Sequence, residues 1–138
     1  MPFVRIWLNK VSAEDPQRIG ECVHQAMVET LEIPEGDHFQ VISRHEDGEI
    51  IYDKSFLGID RSDAIVLIQI TLAAGRDAAR KKSLYSRIAA LLSAGCAVRP
   101  EDVFITLLEI PPEHFSFGNG QAQFADHLPP HLTSTAAG

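Results

Sequence analysis

The sequence repeats itself: Pro34 returns as Pro100, 66 residues on, and Asp37–Phe39 returns as Asp102–Phe104 at an offset of 65. Around these anchors the hydrophobic pattern passes twice through the same periods. Residues 2–8 (PFVRIWL) are β-branched and aromatic, the composition of a strand. Ser12, with Glu14 and Asp15 in the next turn, reads as a helix start. Ile19, Cys22, Val23, Ala26, Met27 and Leu31 then fall at helical spacing and form one apolar stripe. Ile33-Pro34-Glu35-Gly36-Asp37 stops that helix, and Phe39–Ile42 resumes as a strand. In the second unit Ile65–Leu72 is a nearly continuous apolar run, read as a strand buried on both faces. Ala73-Ala74-Gly75 breaks it, and a helix starting near Arg76-Asp77 carries Leu84, Ile88, Leu91 and Leu92 on one face. Val98–Asp102 ends the unit, and Val103–Ile110 is again a strand.

A strand joined to the next through a helical crossover lies parallel to it. Two such units side by side predict an α/β (α+β) fold: a duplicated β-α-β, with a four-stranded sheet and both helices on one face. The other face also needs cover, since Ile65–Leu72 reads as apolar on both sides, and with two long helices the natural cover is another subunit. Between the units, residues 43–63 are polar, with Asp47-Gly48 marking a hairpin turn and Glu49–Tyr52 a short strand. One domain is expected over 1–128, with repeats at about 2–42 and 64–110, and a flexible tail over 129–138.

Composition excludes several function classes. Twelve Lys and Arg against 19 Asp and Glu give a net charge of −7. A protein that tracks a nucleic-acid backbone carries clustered positive charge, so no nucleic-acid partner is expected. No apolar run approaches the roughly 18 residues of a membrane span. Residues 1–5 lack the charged and apolar regions of a signal peptide. The expectation is a soluble, cytoplasmic protein without membrane contact. Cys22 and Cys96 match no metal motif and read as small buried hydrophobes. His24, His45, His114, His127 and His131 show no metal-ligand spacing; surface histidine is the default for them, and no metal is expected.

Chemistry is first suggested by Pro2. Removal of Met1 would leave a secondary amine at the chain terminus, and a terminal amine titrates near 8 unless perturbed. Burial or a nearby charge would tune it as base, acid or nucleophile. Asp37, by itself, is a common turn former after Gly36. Arg76 at a helix start opposes the macrodipole, a misfit that a bound carboxylate would relieve. Beyond Pro111-Pro112 comes His114-Phe115-Ser116-Phe117-Gly118-Asn119-Gly120, in which aromatics alternate among glycines. Phe115, Phe117 and Phe124 either line a pocket or pack between subunits. His38 would point away from Asp37, and Tyr85 reads as packing.

Taken together, Pro2 on a duplicated β-α-β resembles the tautomerase superfamily. Ile33–Gln40, Phe56-Leu57-Gly58 with Arg61-Ser62, Gly75-Arg76, and Phe115–Ala122 look like its malonate semialdehyde decarboxylase branch, over about residues 2 to 128. The resemblance implies a homotrimer without cofactor, acting on a small carboxylate substrate that bears a carbonyl. By resemblance, Pro2 polarises or protonates that carbonyl. Asp37 orders water or tunes the proline, and Arg76 holds the carboxylate. A second arginine of the branch falls on Ala74 here, in a turn one residue longer. A single guanidinium still grips a carboxylate in bidentate fashion. The implied reaction is decarboxylation of a 3-oxo acid with proton transfer at carbon. Two alternatives stand beside it: keto–enol tautomerisation of a 2-oxo acid by neutral Pro2, and a catalytically idle trimer serving binding or signalling, favoured if Met1 is retained.

Overall fold

The computed structural model describes residues 2–12 and 15–130. Met1, Glu14, His131 and the tail from 131 onward lie outside the described residues. The first unit is β1 (Phe3–Asn9), α1 (Pro16–Leu31) and β2 (Phe39–His45); the second is β3 (Val66–Ala73), α2 (Ala78–Cys96) and β4 (Val103–Ile110). The sheet order is β2-β1-β3-β4. Within each unit the strands are parallel, and β1 meets β3 antiparallel. This is the architecture that the repeat predicts.

Both helices cover one face. Val4, Ile6 and Leu8 of β1 and Val66, Ile68, Ile70 and Leu72 of β3 alternate inward, as pleating requires. They meet Ile19, Val23, Ala26 and Met27 of α1 and Leu84, Ile88 and Leu92 of α2. The second face differs from the expectation of a strand apolar on both sides. The outward residues of β3 are Leu67, Gln69 and Thr71, all half-buried. The most exposed apolar side chains there lie on the edge strands, with Phe39, Val41, Phe104 and Leu108 each about half exposed.

Two local readings are corrected. Ser12 does not cap α1: its hydroxyl accepts from Asn9 N at 2.9 Å and donates to the buried Ile65 carbonyl at 2.7 Å. Asp15 is the cap instead, accepting from the amides of Gln17 and Arg18, and Pro16 opens the helix. Glu49–Tyr52 forms no strand, so the turn at Asp47-Gly48 closes no hairpin. That segment finds its partners outside any ladder: Tyr52 donates to the Ser62 carbonyl at 2.5 Å, and Lys54 pairs with Asp63. Both helices end on a left-handed residue that is not glycine, Glu32 at φ 58° and Ala97 at φ 54°.

Asp102 fastens the intervening segment to the second unit. Only 1% exposed, its carboxylate accepts from Ser62 N at 2.7 Å and from Ser62 Oγ at 2.6 Å. Asp102→Ala strands these donors, so a loss of about 1–3 kcal/mol is expected, read as a lower urea midpoint.

Candidate active site

The strand pairings bring four strand ends to one end of the sheet. Phe3 lies opposite Phe39, so β1 and β2 start together. The antiparallel pairing sets Phe3 against Thr71, so β3 ends where β1 begins. Ala73 pairs with Ile110, which brings the end of β4 and the following loop to the same place. Pro2, the turn containing Asp37, the turn leading to Arg76 and the aromatic loop therefore share one end, though 114 residues separate Pro2 from Ser116.

Pro2 is buried there, beside a cavity of about 420 Å³. Phe3, Phe39, Thr71, Ile110, His114, Phe115, Ser116 and Phe117 complete its walls. Phe115 and Phe117 stack at 5.3 Å with planes 4° apart, and Phe124 meets Phe117 edge-on at 4.8 Å. All three rings pack on Ala73. Phe124 is thus a buttress behind Phe117 and does not line the cavity. The loop is held by Gln123, which accepts from Phe117 N and donates to the Gly118 carbonyl. Gly118, Asn119 and Gly120 between them take positive φ.

Asp37 and Arg76 stand at this end but outside the cavity wall. Asp37 is half-buried, its amide bonded to the Pro34 carbonyl at 3.0 Å. His24 of α1 holds the same turn, its Nε2 lying 2.8 Å from the Glu35 carbonyl. Its ring stacks on His38 at 4.0 Å with planes 4° apart. Arg76 is 5% exposed, and its Nη1 donates to the Ala73 carbonyl at 2.9 Å. Its Nε and Nη2 are buried without a hydrogen-bond partner among the described residues. Burial pushes the Arg76 pKa down; the Arg80 charge acts in the same direction, and Glu109 opposes them.

The sequence reads His24 and His114 as surface histidines and gives Phe39 and Thr71 no place at the site; His114 is exposed, whereas His24 is half-buried. His114 directly precedes the aromatic pair, so the motif itself pointed to it. His24 carried no signal, because its role depends on where α1 crosses the turn. Among the described residues no three His, Cys, Asp or Glu gather as a metal site, and no helix is long and apolar enough to cross a membrane.

A family model described as a tautomerase enzyme matches residues 37–118. The probable tautomerase YusQ of Bacillus subtilis (strain 168) is 41% identical over 127 residues, covering 91% of this chain and 100% of that protein. The chain belongs to the tautomerase superfamily. Among solved structures, this tautomerase-superfamily fold is similar to the FG41 malonate semialdehyde decarboxylase inhibited by 3-bromopropiolate. That match has 35% identity and a TM-score of 0.83, over 88% of this chain and 93% of the other. A second malonate semialdehyde decarboxylase, solved as wild type, as a variant with its first residue changed from proline to alanine, and as an inactivated form, is 28% identical. Its TM-score is 0.82, over 88% of this chain and 95% of that one.

Burial pushes the His24 pKa below its ordinary value of about 6.5, and the facing His38 lowers it further, against the pull of the Glu35 carbonyl. The native state therefore binds this proton more weakly than the unfolded chain does. The resulting stability is complete above pH 6.5 and is lost as pH falls through the native pKa. Urea midpoints at pH 7.5 and 5.5 should differ less in His24→Gln than in the unmutated protein.

Proposed function

We propose that this tautomerase-superfamily chain is a Pro2-dependent enzyme acting on a small oxo acid, and that its reaction is the decarboxylation of a 3-oxo acid such as malonate semialdehyde. One observation carries this reading. Pro2 lies in an aromatic cavity at the same end of the sheet as Arg76, a buried guanidinium with two donors unpaired. An unpaired buried cation calls for an anion, and a carboxylate meets two parallel N–H donors in plane. A three-carbon acid with its carboxylate on Arg76 must, in this reading, present its carbonyl to Pro2.

Once Met1 is removed, Pro2 carries a secondary ammonium that donates to the carbonyl oxygen. The C–C bond to the carboxylate breaks and carbon dioxide leaves. The electron pair of the broken bond becomes the C=C bond of an enol as the carbonyl oxygen takes the Pro2 proton. The carbon then takes a proton from water, and the O–H proton returns to Pro2. This leaves the aldehyde and, in solution, hydroxide that the released carbon dioxide takes up as bicarbonate. Asp37 serves at the carbonyl end, ordering water or setting the charge of Pro2. The oxyanion character that grows on the carbonyl is what the ammonium stabilises, so Pro2 acts in the transition state more than in the ground state.

A second reading, keto–enol tautomerisation of a 2-oxo acid, is supported by the apolar wall. Phe3, Phe39, Phe115 and Phe117 surround Pro2 and disfavour a charged amine, which suits a neutral base. The name of YusQ, probable tautomerase, agrees with it. Deuterium exchange at the methyl carbon of pyruvate without release of carbon dioxide would favour this second reading.

The deciding experiment compares protein with Met1 removed and protein with Met1 retained, each verified by intact mass, on malonate semialdehyde. The retained form has an amide in place of the amine and should lose about 10²–10⁴ in kcat. Equal turnover would exclude Pro2 as the catalyst. The half-exposed Phe39, Val41, Phe104 and Leu108 support assembly through the open sheet face, and the superfamily resemblance supports three subunits. Sedimentation should report three times the 15.2 kDa chain mass.

A further inference from the structure

We propose that Arg80 is a second carboxylate-binding residue, and that it closes with Arg76 on a single substrate carboxylate at the N-terminus of α2. The inference rests on the oxo-acid reading and extends it, since Ala74 occupies the place where the resemblance puts a second arginine.

Arg80, Leu84, Ile88 and Leu92 follow one another at intervals of four, one ridge along α2, and Arg76 lies one position before the N-cap, Asp77. Leu84, Ile88 and Leu92 are fully buried on the sheet. Arg80 thus stands where the pattern calls for an apolar side chain. Side chains on a helix lean toward its N-terminus, so the Arg80 guanidinium reaches back toward Arg76. Its Nη1 is buried and has no hydrogen-bond partner among the described residues. Arg76 presents two more such donors from a side chain 5% exposed.

Two guanidinium groups that repel each other, and that carry three shielded donors without partners among the described residues, make a costly arrangement. Glu109 relieves it only in part: its charge acts on Arg76, but its hydrogen bond goes to Lys81. The positive end of the α2 macrodipole adds to the same field. A carboxylate answers all three terms. It has two oxygens for the donors, cancels the repulsion and suits the helix terminus. The site so formed selects a free acid and rejects its ester or amide.

The test is calorimetric titration of the intact protein with malonate, with uncharged malonamide as the control. Arg76→Gln and Arg80→Gln should each weaken malonate binding about tenfold to a hundredfold, the range for one lost charged hydrogen bond. Arg80→Lys should recover part of the loss. On a turned-over oxo acid, Arg80→Gln should raise KM by a similar factor with a smaller change in kcat. If Arg76→Gln weakens malonate and Arg80→Gln binds it as the unmutated protein does, the Arg80 proposal falls and the oxo-acid reading stands. If neither variant weakens it, both fall. A changed sedimenting mass for Arg80→Gln would make Arg80 a contact between subunits and overturn the proposal. Independently of any variant, malonate should slow modification of Arg80 by phenylglyoxal, followed by peptide mass, and an unchanged rate would also overturn it.

Discussion

The antiparallel pairing of β1 with β3 is the constraint on which the rest depends. Each β-α-β unit alone is a parallel pair whose two strands start at the same end. Joined antiparallel, the units face opposite ways, and the start of one meets the finish of the other. That reversal is why a residue at position 2 shares an end with residues 73–76 and 110–117. A parallel junction would have placed Pro2 beside Val66 and left Arg76 at the far end of the sheet. The core enforces the pairing. Val4, Ile6 and Leu8 interleave with Val66, Ile68 and Ile70, and a one-residue slip would turn every one of these away from the helices.

The two halves have kept one geometry and taken different tasks. Asp37 and Asp102 occupy matching turns before β2 and β4. Asp102 is sealed from water and fastens Ser62, whereas Asp37 stays half-buried at the end of the sheet that holds Pro2. A carboxylate with two short bonds from backbone and hydroxyl is committed to structure. The asymmetry continues at the neighbouring position, where His38 stacks on His24 and its counterpart, Val103, packs into the core.

Much of this was legible in the sequence, for physical reasons. Strand and helix periods are local, and the stripe from Ile19 to Leu31 and the ridge from Leu84 to Leu92 both lie on the core as spacing predicts. Turns set by Pro and Gly were equally visible. The misreadings arose where the outcome depended on distant partners. Ser12 has the residue type of a cap, but β3 supplies a carbonyl for its hydroxyl, and Asp15 before Pro16 is the better start. Ile50-Ile51 has the composition of a strand but pairs with neither edge strand of the sheet. At the site, Pro2, Asp37, Arg76, Phe115 and Phe117 do gather at one end of the sheet. Phe124 stands one layer behind, a distinction that residue type cannot carry.

The left-handed ends of the two helices bear on how the repeat is preserved. Glu32 and Ala97 are 65 positions apart, the spacing that relates Asp37 to Asp102, and the two share no chemistry. A residue with a β-carbon pays about 1–2 kcal/mol to sit in that region. Both halves nonetheless keep it, because that dihedral aims each crossover back toward the sheet. What the duplication has inherited at this point is a backbone angle and not an amino acid. The kinship of the halves is therefore recorded more completely in their torsion angles than in their letters.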